Sequence, residues 1–109
     1  DSFGLGNPSF LIQLMEGFLE DGIAIVAKAI EAFKQQDAST LELVTHGLKS
    51  SSSYLGALNL SQICKDLESI AATGNLLPAA DLIQALEKEY AQVERALNLK
   101  LSQLRSQVE

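Results

Sequence analysis

The sequence predicts an all-α fold, an antiparallel four-helix bundle with an additional short N-terminal helix and a long C-terminal helix. Three observations carry this expectation. Apolar residues recur at steps of three and four through almost the whole chain. Apolar content is 47% against 6% aromatic, with two Pro and no Trp, which suits a bundle built on Leu, Ile and Ala better than a β-sandwich. Gly, Asn and Pro punctuate the pattern between segments. At 109 residues the chain reads as one domain over 1–109, with its compact part at about 8–98.

The first, short helix is expected after Asn7-Pro8, since Pro is tolerated in a first turn. Leu11, Leu14, Met15 and Phe18 give it one apolar face. Glu20-Asp21-Gly22 interrupts that pattern, because Gly weakens helix and Asp favours caps. Either a second helix or a kinked continuation follows to about Gln36, burying Ile23, Val26, Ala27, Ile30 and Phe33. Ser39-Thr40-Leu41-Glu42 matches a capping box and starts the next helix, which runs to about Leu55 and ends near Gly56. Asn59 is the expected cap of the following helix, whose face is Leu60, Ile63, Cys64, Leu67, Ile70 and Ala71. Thr73-Gly74-Asn75 stops it.

The last helix begins near Pro78 and meets no breaker. Leu82, Leu86, Tyr90, Val93, Leu97, Leu101, Leu104 and Val108 keep its stripe. At 1.5 Å per residue it approaches about 45 Å. Its final turns are therefore expected to overhang the bundle.

Composition excludes several functions. A net charge of −6 offers no basic stripe for nucleic acid. The apolar runs are too short for a membrane span, and no signal peptide is visible. Cys64 is the only cysteine, so no internal disulfide forms, and a buried apolar role is expected. No phosphate loop or second His or Cys points to a nucleotide or metal, and no cofactor is expected. A start at Asp1 rather than Met suggests a piece of a longer protein.

The chemistry gathers around the only histidine. At about 100° per residue, Leu41, Val44, Leu48, Ser52 and Leu55 share one arc, the buried stripe. His46 lies opposite, with Glu42, Lys49, Ser50 and Ser53 as its surface neighbours. A lone surface histidine is commonly just solvated. The run Ser50-Ser51-Ser52-Ser53 weighs against that reading, because serine is a poor helix former and four in mid-helix imply a geometric need. Ser51 and Ser52 lie towards the packed side; Ser50 and Ser53 lie beside His46 and leave its ring open. His46 stands eleven residues before Ala57 and Glu68 eleven after it, so an antiparallel hairpin sets them at one height. A Glu68 carboxylate accepting the Nδ1 proton would leave Nε2 outward with its lone pair. An ordinary solvated Glu is the equal alternative.

The stretch Thr45-His46-Gly47-Leu48-Lys49-Ser50-Ser51-Ser52-Ser53-Tyr54-Leu55-Gly56-Ala57 resembles the His-x-Leu-Lys-Gly-Ser-Ser-x-x-Leu-Gly-Ala signature of histidine-containing phosphotransfer (HPt) domains. Leu67-Glu68 resembles their usual ending on the next helix, and Phe18-Leu19-Glu20-Asp21 their N-terminal segment. The similarity spans roughly residues 10–97. It implies a phosphorelay in which His46 accepts and donates a phosphoryl group, from and to aspartates of response-regulator receiver domains. It further implies Lys49 as the cation beside that group, Glu68 as the residue orienting the imidazole, and no kinase site of its own. Mg²⁺ belongs to the receiver partner. Ser50 departs from the family's Gly beneath the histidine.

The resemblance also implies partners docking across His46 and the nearby ends of the first helices. Leu14, Met15 and Phe18 are either an apolar contact there or core. A sensor histidine kinase in the same parent chain is a further expected partner; a cytoplasmic monomer without direct membrane contact is expected. Two other readings stand beside the relay: the phospho-acceptor domain of a chemotaxis-type kinase, or a degenerate bundle whose histidine is never phosphorylated.

Overall fold

A computed structural model describes residues 8–108. Four helices follow one another: α1 (Pro8–Lys34), α2 (Ala38–Tyr54), α3 (Leu58–Ala72) and α4 (Ala80–Val108), the last entered through a 3₁₀ turn at Leu77–Ala79. The four-helix bundle is as expected, but the separate short N-terminal helix is not present. Residues 8–34 form one continuous helix, and Glu20-Asp21-Gly22 lies within it. Gly22 is no breaker here. It is buried, and a Cβ at its position would come within 2.7 Å of Cε1 and 2.8 Å of Cζ of Tyr90. The glycine lets α1 and α4 approach, and the Tyr90 ring fills the space beside Phe18, with centroids 6.0 Å apart.

Continuity rotates the buried face of α1 away from the predicted one. Met15, Phe18, Val26, Ala29 and Ala32 are buried, whereas Ile23 is 60% exposed and Ala27 is also exposed. Met15 and Phe18 therefore belong to the core, while Leu14 is partly buried.

The caps differ as well. Asp37, not Ser39, begins α2: its Oδ1 accepts from the Thr40 backbone N at 3.1 Å. Ser39 already sits inside the first turn, so no capping box forms with Glu42. This hydrogen bond holds the Asp37 carboxyl below its ordinary range. The N-cap of α3 is Ala57, without a side-chain bond, rather than Asn59. Gly56 and Gly74, both at φ +82°, close α2 and α3 in the left-handed conformation that a Cβ disfavours.

The core is built from fully buried Leu41, Leu48, Leu60, Leu67 and Leu86, with Cys64 among them. Burial pushes the Cys64 thiol up to about 12, with Glu68 adding a smaller push, so it is an apolar filler. Replacing Leu48, which lies under the histidine's helix turn, by Ala should cost about 2–5 kcal/mol in a denaturant titration.

The final turns of α4 do not overhang bare. Leu101 and Leu104 are buried against Met15, with Leu11, Ile12 and Leu97 around them, and Arg105 pairs with Glu16. The reason is the unbroken α1, long enough to cover α4 beyond the α2–α3 turn. Asn7 and the side chain of Val108, at the ends of the predicted pattern, lie outside the described residues.

Candidate functional site

The site grows from the α2–α3 hairpin. Gly56 reverses the chain, and two antiparallel helices then pair with His46 opposite Glu68. His46 Nδ1 lies 2.7 Å from Glu68 Oε2. The charged Glu68 carboxylate can only accept, so Nδ1 is the donor, and in the neutral imidazole that tautomer leaves the lone pair on Nε2. The imidazole is 61% exposed while the Glu68 side chain is 21% exposed: the carboxylate is recessed and the ring is open to solvent.

Lys49 joins the same carboxylate, its Nζ 2.7 Å from Glu68 Oε1. The sequence places Lys49 only relative to His46, and its pairing with Glu68 emerges from the structure. Each carboxylate oxygen therefore has one cationic or N–H partner. The hydrogen bonds from Lys49 and then from His46 hold Glu68 below its ordinary 4.5, outweighing a small opposing effect of burial.

A group lowered in the folded state contributes stability that is full above its unfolded value. That contribution is lost as pH falls through the folded value. The stability contributed by Glu68 should therefore decline as pH falls below about 4.5, and that decline should be absent in Glu68→Gln, as read by denaturant titrations at several pH values; equal pH dependence in the two proteins would refute the pairing in solution.

The serines divide by role. Ser52 is fully buried, its hydroxyl donating to Leu48 O at 2.6 Å; Ser51 is exposed and donates to Gly47 O at 3.0 Å. Ser50 is turned only weakly to His46 O at 3.4 Å, and Ser53 is exposed. Ser61 of α3 donates to Lys49 O at 3.0 Å and ties the two helices beneath the site. Thr45, outside the apolar pattern, is also a core position: it is buried, and its hydroxyl donates to Leu41 O at 2.7 Å. A hydroxyl that bonds its own helix i−4 carbonyl is satisfied inside the core, so apolar periodicity does not find it.

Two shallow depressions flank the helix. Ser39, Glu42, Leu43, His46 and Glu68 line one of about 320 Å³. Lys49, Ser50, Ser53, Tyr54 and Ser61 line the other, which His46 does not enter. Helical side chains lean towards the N-terminus, so the ring lies over Glu42 and Leu43 rather than over Ser50. Among the described residues no three His, Cys, Asp or Glu side chains converge into a metal site, and no helix is long and apolar enough to cross a membrane.

The family model described as Hpt domain matches residues 13–96. The chain belongs to the Hpt domain family. Hpt domains are phosphotransfer carriers of phosphorelay signalling and not themselves kinases. Histidine-containing phosphotransfer protein 2 of Arabidopsis thaliana is 26% identical over 102 residues, which is 91% of this chain and 63% of that protein. The chain thus spans less than two thirds of the length of this curated relative. The crystal structure of histidine-containing phosphotransfer protein B from Pseudomonas aeruginosa PAO1 superposes with a TM-score of 0.84 at 28% identity, covering 94% of this chain and 89% of that one. The HPT domain of a sensor hybrid histidine kinase from Shewanella gives 0.78 at 26% identity, over 84% and 80%.

Proposed function

We propose that this Hpt domain is a relay carrier in which His46 Nε2 takes a phosphoryl group from an aspartyl phosphate of one receiver domain and gives it to an aspartate of another. The observation that carries the reading is the 2.7 Å contact of Nδ1 with Glu68 under an exposed ring. The Nε2 lone pair forms the N–P bond as the P–O bond to aspartate breaks. Nδ1 keeps its proton, and the resulting ring cation stays against Glu68. Such a loose transfer demands alignment above all. Lys49 acts first on Glu68, whose Oε1 it holds, and the remainder of its field reaches the phosphoryl group. Ser50 and Ser53 keep the adjoining surface low for a docking receiver.

The receiver supplies Mg²⁺ and this domain needs no cofactor of its own. A monomer in the cytoplasm, without an ATP site and working beside a sensor kinase of the same or another chain, belongs to the same proposal. The likeness to a phosphotransfer protein and to the Hpt domain of a hybrid kinase favours this relay over a chemotaxis-type acceptor or a degenerate bundle.

The test mixes the domain with a phosphorylated receiver. Label should move onto the domain in a form labile to acid and stable to alkali, as an N–P bond requires; alkali-labile or absent label would defeat the reading. Two variants grade the site. Glu68→Ala loses a charge-assisted hydrogen bond, worth about 1.5–3 kcal/mol, so transfer should slow about tenfold or more. Lys49→Ala should slow transfer less, with stability within about 1 kcal/mol of the wild type.

A further inference from the structure

The relay reading leaves open whether the site stores the phosphoryl group or passes it on, and the charges around His46 bear on that. Glu68 and Lys49 are committed to each other at 2.7 Å, so the only nearby cation is largely neutralised by the carboxylate that orients the ring. Glu42 is not. It has no ion-pair partner among the described residues, and it lines the same depression as the imidazole. One helical turn separates the two residues, with Cβ atoms about 5–6 Å apart. Lys65, one turn from Glu68 on α3, is exposed and lines neither depression.

Resting on the relay reading, we propose that Glu42 raises the transfer potential of phosphorylated His46, so that the domain passes its phosphoryl group on rather than holding it. A neutral imidazole that accepts a phosphoryl dianion and keeps its Nδ1 proton gains one net negative charge. That charge develops in the depression where Glu42 already stands. The backbone carbonyl of Glu42 accepts from the Thr45 hydroxyl at 3.3 Å, and its half-buried side chain makes no hydrogen bond or ion pair among the described residues. Glu42→Gln therefore removes the charge and leaves the helix as it is. Of the other residues lining the depression, Glu68 is paired with Lys49, and Ser39 and Leu43 contribute no charge.

The experiment needs no receiver. The full chain is equilibrated with a fixed ratio of phosphoimidazole to imidazole, and phosphohistidine is read by ³¹P NMR. In this exchange the N–P bond of phosphoimidazole breaks as the bond to His46 Nε2 forms, and free imidazole leaves. Glu42→Gln should shift the equilibrium towards phosphohistidine by about three- to fivefold at low ionic strength, as one charge at this separation in a largely aqueous surround implies. The shift should shrink towards unity in about 1 M salt, where screening acts within a few ångströms, while Glu42→Asp stays near the wild type.

An unchanged equilibrium, a shift the other way, or one insensitive to salt overturns the role of Glu42. A wild type that forms no phosphohistidine, or forms as much with His46→Gln, instead overturns the relay reading and this inference with it.

Discussion

His46→Gln reduces phosphoryl acceptance from a phosphorylated receiver to the level seen without the domain. The expectation is this steep because His46 is the only histidine in the chain, and no other described side chain offers an aromatic nitrogen. Gln is the informative replacement. Its amide nitrogen can still donate to Glu68, so the carboxylate keeps two partners and Lys49 stays in place. At 61% exposure the ring contributes little to packing, so unfolding midpoints should agree within about 0.5 kcal/mol. Retained label in a folded His46→Gln protein would move the acceptor elsewhere and dissolve the role given to Glu68. Loss of label together with loss of fold would be read against Glu68→Ala, which perturbs the same network and leaves the nucleophile intact.

Gly22→Ala destabilises the bundle by about 1–3 kcal/mol, the range found when a close-packed contact is overfilled. The sign is the point. An exposed mid-helix Gly→Ala change adds about 0.5–1 kcal/mol of stability, so propensity predicts the opposite result. Here the new methyl meets Cε1 and Cζ of Tyr90 well inside contact distance. The ring cannot easily withdraw, because it is 5% exposed and packed beside Phe18. Its hydroxyl has no hydrogen-bond partner among the described residues, and burial, helped by Glu94, raises its pKa. A double-mutant cycle isolates the contact: in a Tyr90→Leu background Gly22→Ala should cost markedly less, by about 1 kcal/mol or more. Additive costs would show that the strain lies elsewhere in α1.

Both predictions mark where the sequence is readable. His46, Glu68 and their hairpin relation follow from counting residues about the turn, because two helices joined by a short reversal keep a fixed register. Leu60, Cys64, Leu67 and Ala71 are legible for the same reason: a regular helix repeats its face. Gly22 and Asp37 are not legible in this way. The residues around Gly22 look like a helix break until the ring of Tyr90, distant in sequence, occupies the space a side chain would need. Asp37 and Ser39 are both good caps, and only the observed start of α2 selects between them. The predicted face of α1 runs through Ile23 and Ala27 rather than Ala29 and Ala32 because the pattern reads as two helices where one continuous helix stands.

The sequence by itself determined the all-helical class, the hairpin that sets His46 opposite Glu68, and the outward display of the histidine. These are local consequences of helical periodicity and chain reversal. Only the tertiary structure decided that α1 runs unbroken, that it covers the end of α4 through Met15, Leu101 and Leu104, and that Lys49 turns to Glu68. Each of these depends on which distant side chains meet across an interface, and a pattern of spacing along one helix carries no record of what packs against it.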